Sequence, residues 1–327
     1  MEASKLGAVK AIKASFSTRN SRQGLWFIPL LAIVVGVIGL SAYTDDFATT
    51  QNMSNLLSQA MPLVIVAIGQ MIVIVLGGMD LSVGSVISLT TAILALEAHP
   101  ALLIPGVFVA AVIIGFINGF SIVRLNVHPI IATLSLQFIV VGIARLLRPV
   151  AGGSVPDIVV TSVTGSVLGI PAAMLWAIFI VLIGWKLIHG SRYGLHLFAI
   201  GGGVSSGQVE AAHNFGIADQ RVIIMAYIYS SLFAALAGLF IAGRISSGDP
   251  GVGSQFALDS VTAVAIGGTQ LSGGIGSLHG TLFGAVLMVL LANGMNLANL
   301  SAFLQGAIKG AILLLVVSLQ SRKKMGL

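Results

Sequence analysis

Residues 60–89 read AMPLVIVAIGQMIVIVLGGMDLSVGSVISL, and no charge interrupts them before Asp80. A helix rises 1.5 Å per residue, so about 20 apolar residues cross the ~30 Å hydrocarbon layer of a membrane. The part at 60–78 is long enough for one crossing and ends at Gly77-Gly78. The part after Asp80, an apolar run over 82–97, is short and bounded by glycine, which predicts a broken or re-entrant helix.

The pattern recurs outward in both directions. Candidate spans lie at 25–43, 60–78, 82–97, 101–121, 129–147, 171–189, 221–243, 257–272, 278–297 and 303–320, the third and eighth being short. The expected fold is therefore all-α, a polytopic transmembrane bundle of about ten spans. Composition agrees: 57% of residues are hydrophobic and 8% charged, where soluble domains carry about 25% charged residues. The 40 glycines suit helices that approach closely in lipid. Cysteine is absent, so disulfides and thiolate metal sites are excluded.

The net charge of +6 does not point to nucleic acid, because the basic residues stand between apolar runs rather than in a patch. They divide by side instead. With the amino terminus inside, Lys5, Lys10, Lys13, Arg19, Arg22, Arg124, Lys186, Arg192, Arg221, Arg322, Lys323 and Lys324 fall in cytoplasmic segments, and Arg145, Arg148 and Arg244 at the outer side. That asymmetry follows the positive-inside rule and places both termini in the cytoplasm; eight spans would satisfy it equally. The run after Leu25 lacks a small-residue cleavage site and reads as an uncleaved first span. The expected organisation is a tail at 1–24, a membrane domain at 25–320 with an inner loop at 190–220, and a tail at 321–327.

One repeat is visible. Residues 77–84 and 267–274 share the pattern G-G-x-x-L-S-x-G. Related halves with broken helices are common in transporters. The ten-span count puts both copies on the inner side, which predicts a parallel repeat rather than an inverted one.

Single residues stand out against this background. Asp80 is either a cap accepting from the first-turn amides of the next helix or a gating or solute-contacting group. Arg244, Asp249 and Asp259 belong to a turn-rich outer segment, which is a mouth or an ordinary solvated loop. Lys309 in the last span snorkels or pairs with a carboxylate that the sequence does not name. His128, His213 and His279 show no metal-ligand spacing. In the loop 190–220, residues 208–215 suit two helical turns ended by Gly216, either a docking element or a plain connection.

Three stretches carry a resemblance: GGMDLSVGSVISL at 77–89, Tyr193–Ile217, and RISSGDPGVGSQFALDSVTAVAIGGTQLSGGIGSLHGTLFG at 244–284. Together they resemble the sugar-type permeases of bacterial ABC importers, the ribose, xylose and arabinose permease relatives, over about 25–320. The resemblance implies that Arg192–Ile217 is the coupling loop that meets a separate ATP-binding cassette subunit, with Arg192, Gly201, Gly202, Glu210, Ala211, Ala212 and Gly216 at that contact. It also implies a periplasmic solute-binding protein and a second permease copy, identical or homologous, in the bacterial inner membrane. The chain departs from the family pattern at Ser191-Arg192-Tyr193-Gly194, by extra residues between Gly202 and Glu210, and at His213-Asn214-Phe215.

Asp80, Ser82, Asn118, Asp259, Gln270 and Asn293 are the candidates for the translocation path or its gating. No G-x-x-x-x-G-K-[ST] phosphate loop is present and no nucleophile–base set stands out, so the expected role is transport without a cofactor or catalytic site. Two other readings stay open. One is the same machine with a nucleoside, polyol, quorum signal or branched-chain amino acid as cargo, although amino-acid permeases match the run at 77–85 less closely. The other is an ion-driven carrier, disfavoured because Asp80 and Asp259 sit at expected span ends and no mid-span carboxylate is seen.

Overall fold

The computed structural model describes residues 27–206 and 218–319. Twelve helices and one hairpin follow in order among the described residues. They are α1 (Phe27–Tyr43), α2 (Thr50–Val75), α3 (Val83–Leu94), α4 (Pro100–Arg124), α5 (Pro129–Leu147), α6 (Asp157–Thr164), β1 (Ser166–Val167), β2 (Ile170–Pro171), α7 (Ala172–Ile188), α8 (Arg192–Ser206), α9 (Asp219–Ile245), α10 (Phe256–Ile266), α11 (Leu278–Leu297) and α12 (Ala302–Leu319).

A helix stands at each place where a span was expected, but not all have the length. Six (α2, α4, α5, α9, α11 and α12) are long and apolar enough to cross a membrane. A seventh crossing results if α7 and the start of α8, bent by 64°, form one. Helices α1, α3 and α10 are apolar but shorter. The shortness of α3 and α10 has a local cause. Gly77 takes φ +77° directly after α2, and Gly268 takes φ +83° just after α10, a region that favours glycine. The chain then runs on without helix through 78–80 and 269–270.

Local chemistry sets the other helix starts. The Thr49 side chain accepts from Asn52 N, the His99 side chain from Ala101 N ahead of Pro100, and the Ser277 side chain from Gly280 N. Burial then sorts the bundle. Every residue of α2 from Ala60 to Val75 is buried, whereas α12 buries none and α1 only Pro29. Helices α2, α3 and α9 form the centre. Gly115 and Gly119 of α4 lie directly against the backbone of Ile228 and Ile224 of α9, a closeness that any Cβ would prevent.

The expected parallel repeat is not what the structure contains. The sequence of α2, α3, α4 and α5, with 26, 12, 25 and 19 residues, recurs as α9, α10, α11 and α12, with 27, 11, 20 and 18. The same spacing separates Thr50 from Asp219, Asp80 from Asp249 and Gly84 from Gly253. It aligns Asp-Leu-Ser-Val-Gly-Ser at 80–85 with Asp-Pro-Gly-Val-Gly-Ser at 249–254. The two sets run in opposite directions. Helix α2 ends at Val75 beside Gly201 of α8, whereas α9 starts beside α8, with Tyr193 Oη donating to Val222 O. Helix α9 ends where α2 begins, with Arg244 Nη1 donating to Ser58 O at 3.2 Å. The halves are therefore inverted, and G-G-x-x-L-S-x-G marks two turns at one end of the bundle, not equivalent positions.

Gly84 and Gly253 meet where the short helices α3 and α10 begin, each occupying the space a side chain on the other would need. At the end of the bundle away from α8, Gly152 pairs with Gly248 through two backbone hydrogen bonds. The β1–β2 hairpin turns there at Leu168 and Gly169.

Candidate functional site

Three places gather the chemistry. The first is the junction of the two glycine turns. Gly274 N donates to Val75 O at 2.8 Å, so the turn after α10 is pinned to the end of α2. Gly273, at φ +85°, lies against Gly77. Gly201 of α8 packs on both turns at once: a Cβ there would overlap the Val75 carbonyl and stand 2.9 Å from Gly274 N. Gln270 contributes backbone, donating to Ile275 O at 2.9 Å and accepting from Gly273 N at 3.0 Å. The two motif copies and the first helix of the expected coupling loop thus meet at one point. Arg192 opens α8, and Gly202 follows Gly201 on it. Glu210, Ala211, Ala212 and Gly216 lie outside the described residues.

The second place surrounds Asp80, which is 0% exposed. Its Oδ1 accepts from Ser82 N at 3.0 Å and from Ser82 Oγ at 2.6 Å, and Ser82 Oγ accepts from Asn118 Nδ2 at 2.9 Å. The expectation of a cap on the first-turn amides is corrected here. The N-cap of α3 is Ser82, with no side-chain cap bond, and Asp80 stands two residues ahead of it, accepting from the cap's own amide. Gln70 of α2, with its amide oriented by its hydrogen bonds, donates to Asp80 O at 3.0 Å and accepts from Asp80 N at 3.3 Å. Thr133 Oγ1 donates to Met79 O at 3.3 Å. This non-helical stretch is thereby satisfied by side chains, as backbone at membrane depth must be. Ser230 of α9 faces the carboxylate, and neither Asp80 Oδ2 nor Ser230 Oγ completes a well-formed hydrogen bond.

The third place is a cavity of about 400 Å³ between α2, α9, α10, α11 and α12. Gln59, Arg244, Ser254, Gln255, Phe256, Asp259 and Lys309 supply its polar and aromatic groups. The partner of Lys309 that the sequence left unnamed is Asp259, with Nζ 2.7 Å from Oδ2. Asn293 belongs to none of the three places. It exchanges two amide hydrogen bonds with Asn52, at 3.2 and 2.8 Å, tying α11 to the start of α2.

Of the expected path residues, Asp80, Ser82 and Asn118 come together, while Asp259, Gln270 and Asn293 stand apart. Gln70 and Gln59 were missed, although a polar amide within an apolar run is itself a signal. Tyr227, buried with its hydroxyl against Gly78, gave none.

Comparison with known proteins supplies the context. The family described as branched-chain amino acid transport system / permease component matches residues 52–317. The chain belongs to that family. Within reach of this permease family, the ribose import permease protein of Haemophilus influenzae is 33% identical, covering 92% of the chain and 95% of its own length. The corresponding protein of Bacillus subtilis is 34% identical over 90% and 92%. The galactose/methyl galactoside import permease protein of Escherichia coli is 30% identical over 95% and 97%. No solved structure matches the chain significantly.

Proposed function

We propose that the chain is the membrane-spanning permease of an ABC importer for a small sugar, working with a separate ATPase, a periplasmic binding protein and a second permease copy. The chain itself is not an enzyme in this reading. The observation that carries it is Gly201 seated on both glycine turns. A push on α8 from outside the membrane moves the end of α2 and the turn after α10 together, and so both halves of the inverted repeat. The relatives named for ribose and galactose support a monosaccharide as cargo. Counting one crossing for the bent α7–α8 pair and one for each shorter apolar helix gives ten. Both termini then lie on the cytoplasmic side, as the basic residues suggest.

The test is reconstitution with the ATPase and the binding protein. ATP-driven uptake of ribose or galactose is expected. Ala211→Arg, a bulky charge at the expected contact with the ATPase, is expected to leave membrane levels normal and to abolish both uptake and stimulated ATP hydrolysis.

One observation favours the ion-driven carrier more than the sequence did. Asp80 is not at a span end: its backbone is held by Gln70, about 7 Å back along α2 from Val75. The same assay decides: uptake without ATP or ATPase, unaffected by Ala211→Arg, would establish the carrier.

A further inference from the structure

The Asp259–Lys309 pair is placed between two cavities. Beside the cavity of about 400 Å³ lies a second of about 200 Å³, between α10 and α12. Ser254, Gln255, Asp259 and Lys309 line both. On the smaller cavity's side α12 offers Gly306 and Gly310, whose Cβ positions would meet nothing. Of the α12 residues that line the smaller cavity, Leu313 alone adds a bulky apolar side chain beside the ion pair. Helix α12 buries no residue of its own, and its salt bridge reaches α10.

The lining also selects a chemistry. Arg244 and Lys309 oppose the single carboxylate of Asp259, so a cationic solute is disfavoured. The Arg244 guanidinium is engaged with Ser58 O. A carboxylate accepts several hydroxyl hydrogen bonds and an ammonium donates three, so a molecule with adjacent hydroxyls can replace each ion's partner. Gln59 and Gln255 add amide groups, and Phe256 adds an apolar face. A half-buried ion pair is a weak fastening, because its attraction is largely offset by desolvation.

We propose that the Asp259–Lys309 pair is a solute-operated gate: an uncharged polyhydroxylated solute of monosaccharide size in the larger cavity satisfies both ions, parts α12 from α10 and joins the two cavities. This rests on the sugar-permease reading and adds the site and its selectivity.

The chain has no cysteine, so one thiol can report the opening. Thr262 lines the smaller cavity, is 2% exposed and bonds only within its own helix, donating to Leu258 O at 2.7 Å. Thr262→Cys in the full chain, assembled with its ATPase and binding protein in proteoliposomes, is labelled with a water-soluble thiol reagent. The probes are ribose, galactose and the cationic sugar glucosamine, with ATP-driven uptake measured in parallel. A neutral sugar that is taken up is expected to raise the labelling rate about fivefold or more, the lower end of ordinary coupling between ligand and conformation. Glucosamine is expected to leave it unchanged. Adding Asp259→Asn and Lys309→Met is expected to make labelling fast without sugar. Labelling that ignores a sugar the complex takes up, or that stays slow in the uncharged double variant, overturns the gate alone. Failure of ATP-driven uptake with both neutral sugars overturns the sugar-permease reading and the gate with it.

Discussion

Asp80 and Asp249 make the same turn in opposite surroundings. In each, Oδ1 accepts from the amide two residues on, Ser82 N at 3.0 Å and Gly251 N at 2.7 Å. In each, a side chain from another helix holds the aspartate backbone from both directions. Gln70 does so at Asp80, and Thr91 does so at Asp249, accepting from its N–H at 3.1 Å and donating to its carbonyl at 2.9 Å. The difference is water. Asp80 is fully buried and continues into Ser82 and Asn118, whereas Asp249 is partly exposed, beside the exposed Gly251. One turn chemistry thus starts two half-length helices, and only the turn at depth needs a closed polar network.

The largest expected effect tests whether the two turns form one crossing. Gly84→Val and Gly253→Val each place a branched side chain where the other glycine's backbone lies. Overpacking against backbone is expected to remove about 3 kcal/mol or more of stability in either variant. Folded protein recovered in detergent, and its melting temperature, are the measurements. A stable Gly253→Val beside an unstable Gly84→Val would break the equivalence of the halves.

That equivalence was hard to read along the chain, and the reason is physical. The spans were legible because lipid demands long apolar runs. The repeat was not, because a half-helix needs only an aspartate, two permissive positions and a glycine at the crossing. Leu81-Ser82 and Pro250-Gly251 meet that need with no shared residue. G-G-x-x-L-S-x-G was the more conspicuous pattern, yet its copies share a requirement for tight turns rather than a place in the repeat. It is Gly77, the first glycine, that takes positive φ in one copy and Gly268, the second, in the other. The site was legible where its residues are close in sequence, as Asp80 and Ser82 are. Lys309 with Asp259, and Asn52 with Asn293, are joined only by the packing of distant helices.

A smaller effect sharpens the role of water. Gln70→Leu removes both partners of the Asp80 backbone inside the bundle. Leaving buried polar groups unpaired costs about 1–3 kcal/mol each, so a loss of about 2–4 kcal/mol is expected. Thr91→Val removes both side-chain partners of the Asp249 backbone. Asp249 is partly exposed, so water can replace Thr91 there more readily than Gln70 at Asp80, and the expected loss is about 1 kcal/mol or less. Unfolding of the two variants in denaturant is the comparison. Equal losses would mean that the turn at Asp249 is as closed as the one at Asp80.

The smallest expected effect concerns the charges themselves. Asparagine keeps the Oδ1 acceptor on which both turns depend, so Asp80→Asn and Asp249→Asn should each preserve the turn. At Asp249 the change faces water and is expected to lie within about 0.5 kcal/mol. At Asp80 the new amide replaces Oδ2, which lacks a partner, and faces Ser230 Oγ, which lacks one too and can accept. Trading an incompletely paired carboxylate for a neutral donor is therefore expected to change stability by about 1 kcal/mol or less, in either direction. If Asp80 matters only as a turn, Asp80→Asn should also keep most of the ATP-driven uptake, as Asp249→Asn should. Folded amount and uptake measured on the same membranes separate the two properties. A variant present at the parent level but inactive would show that transport uses the negative charge of Asp80. The two aspartates would then differ in task as well as in surroundings, and the buried one would become the first place to look for a coupled proton or cation.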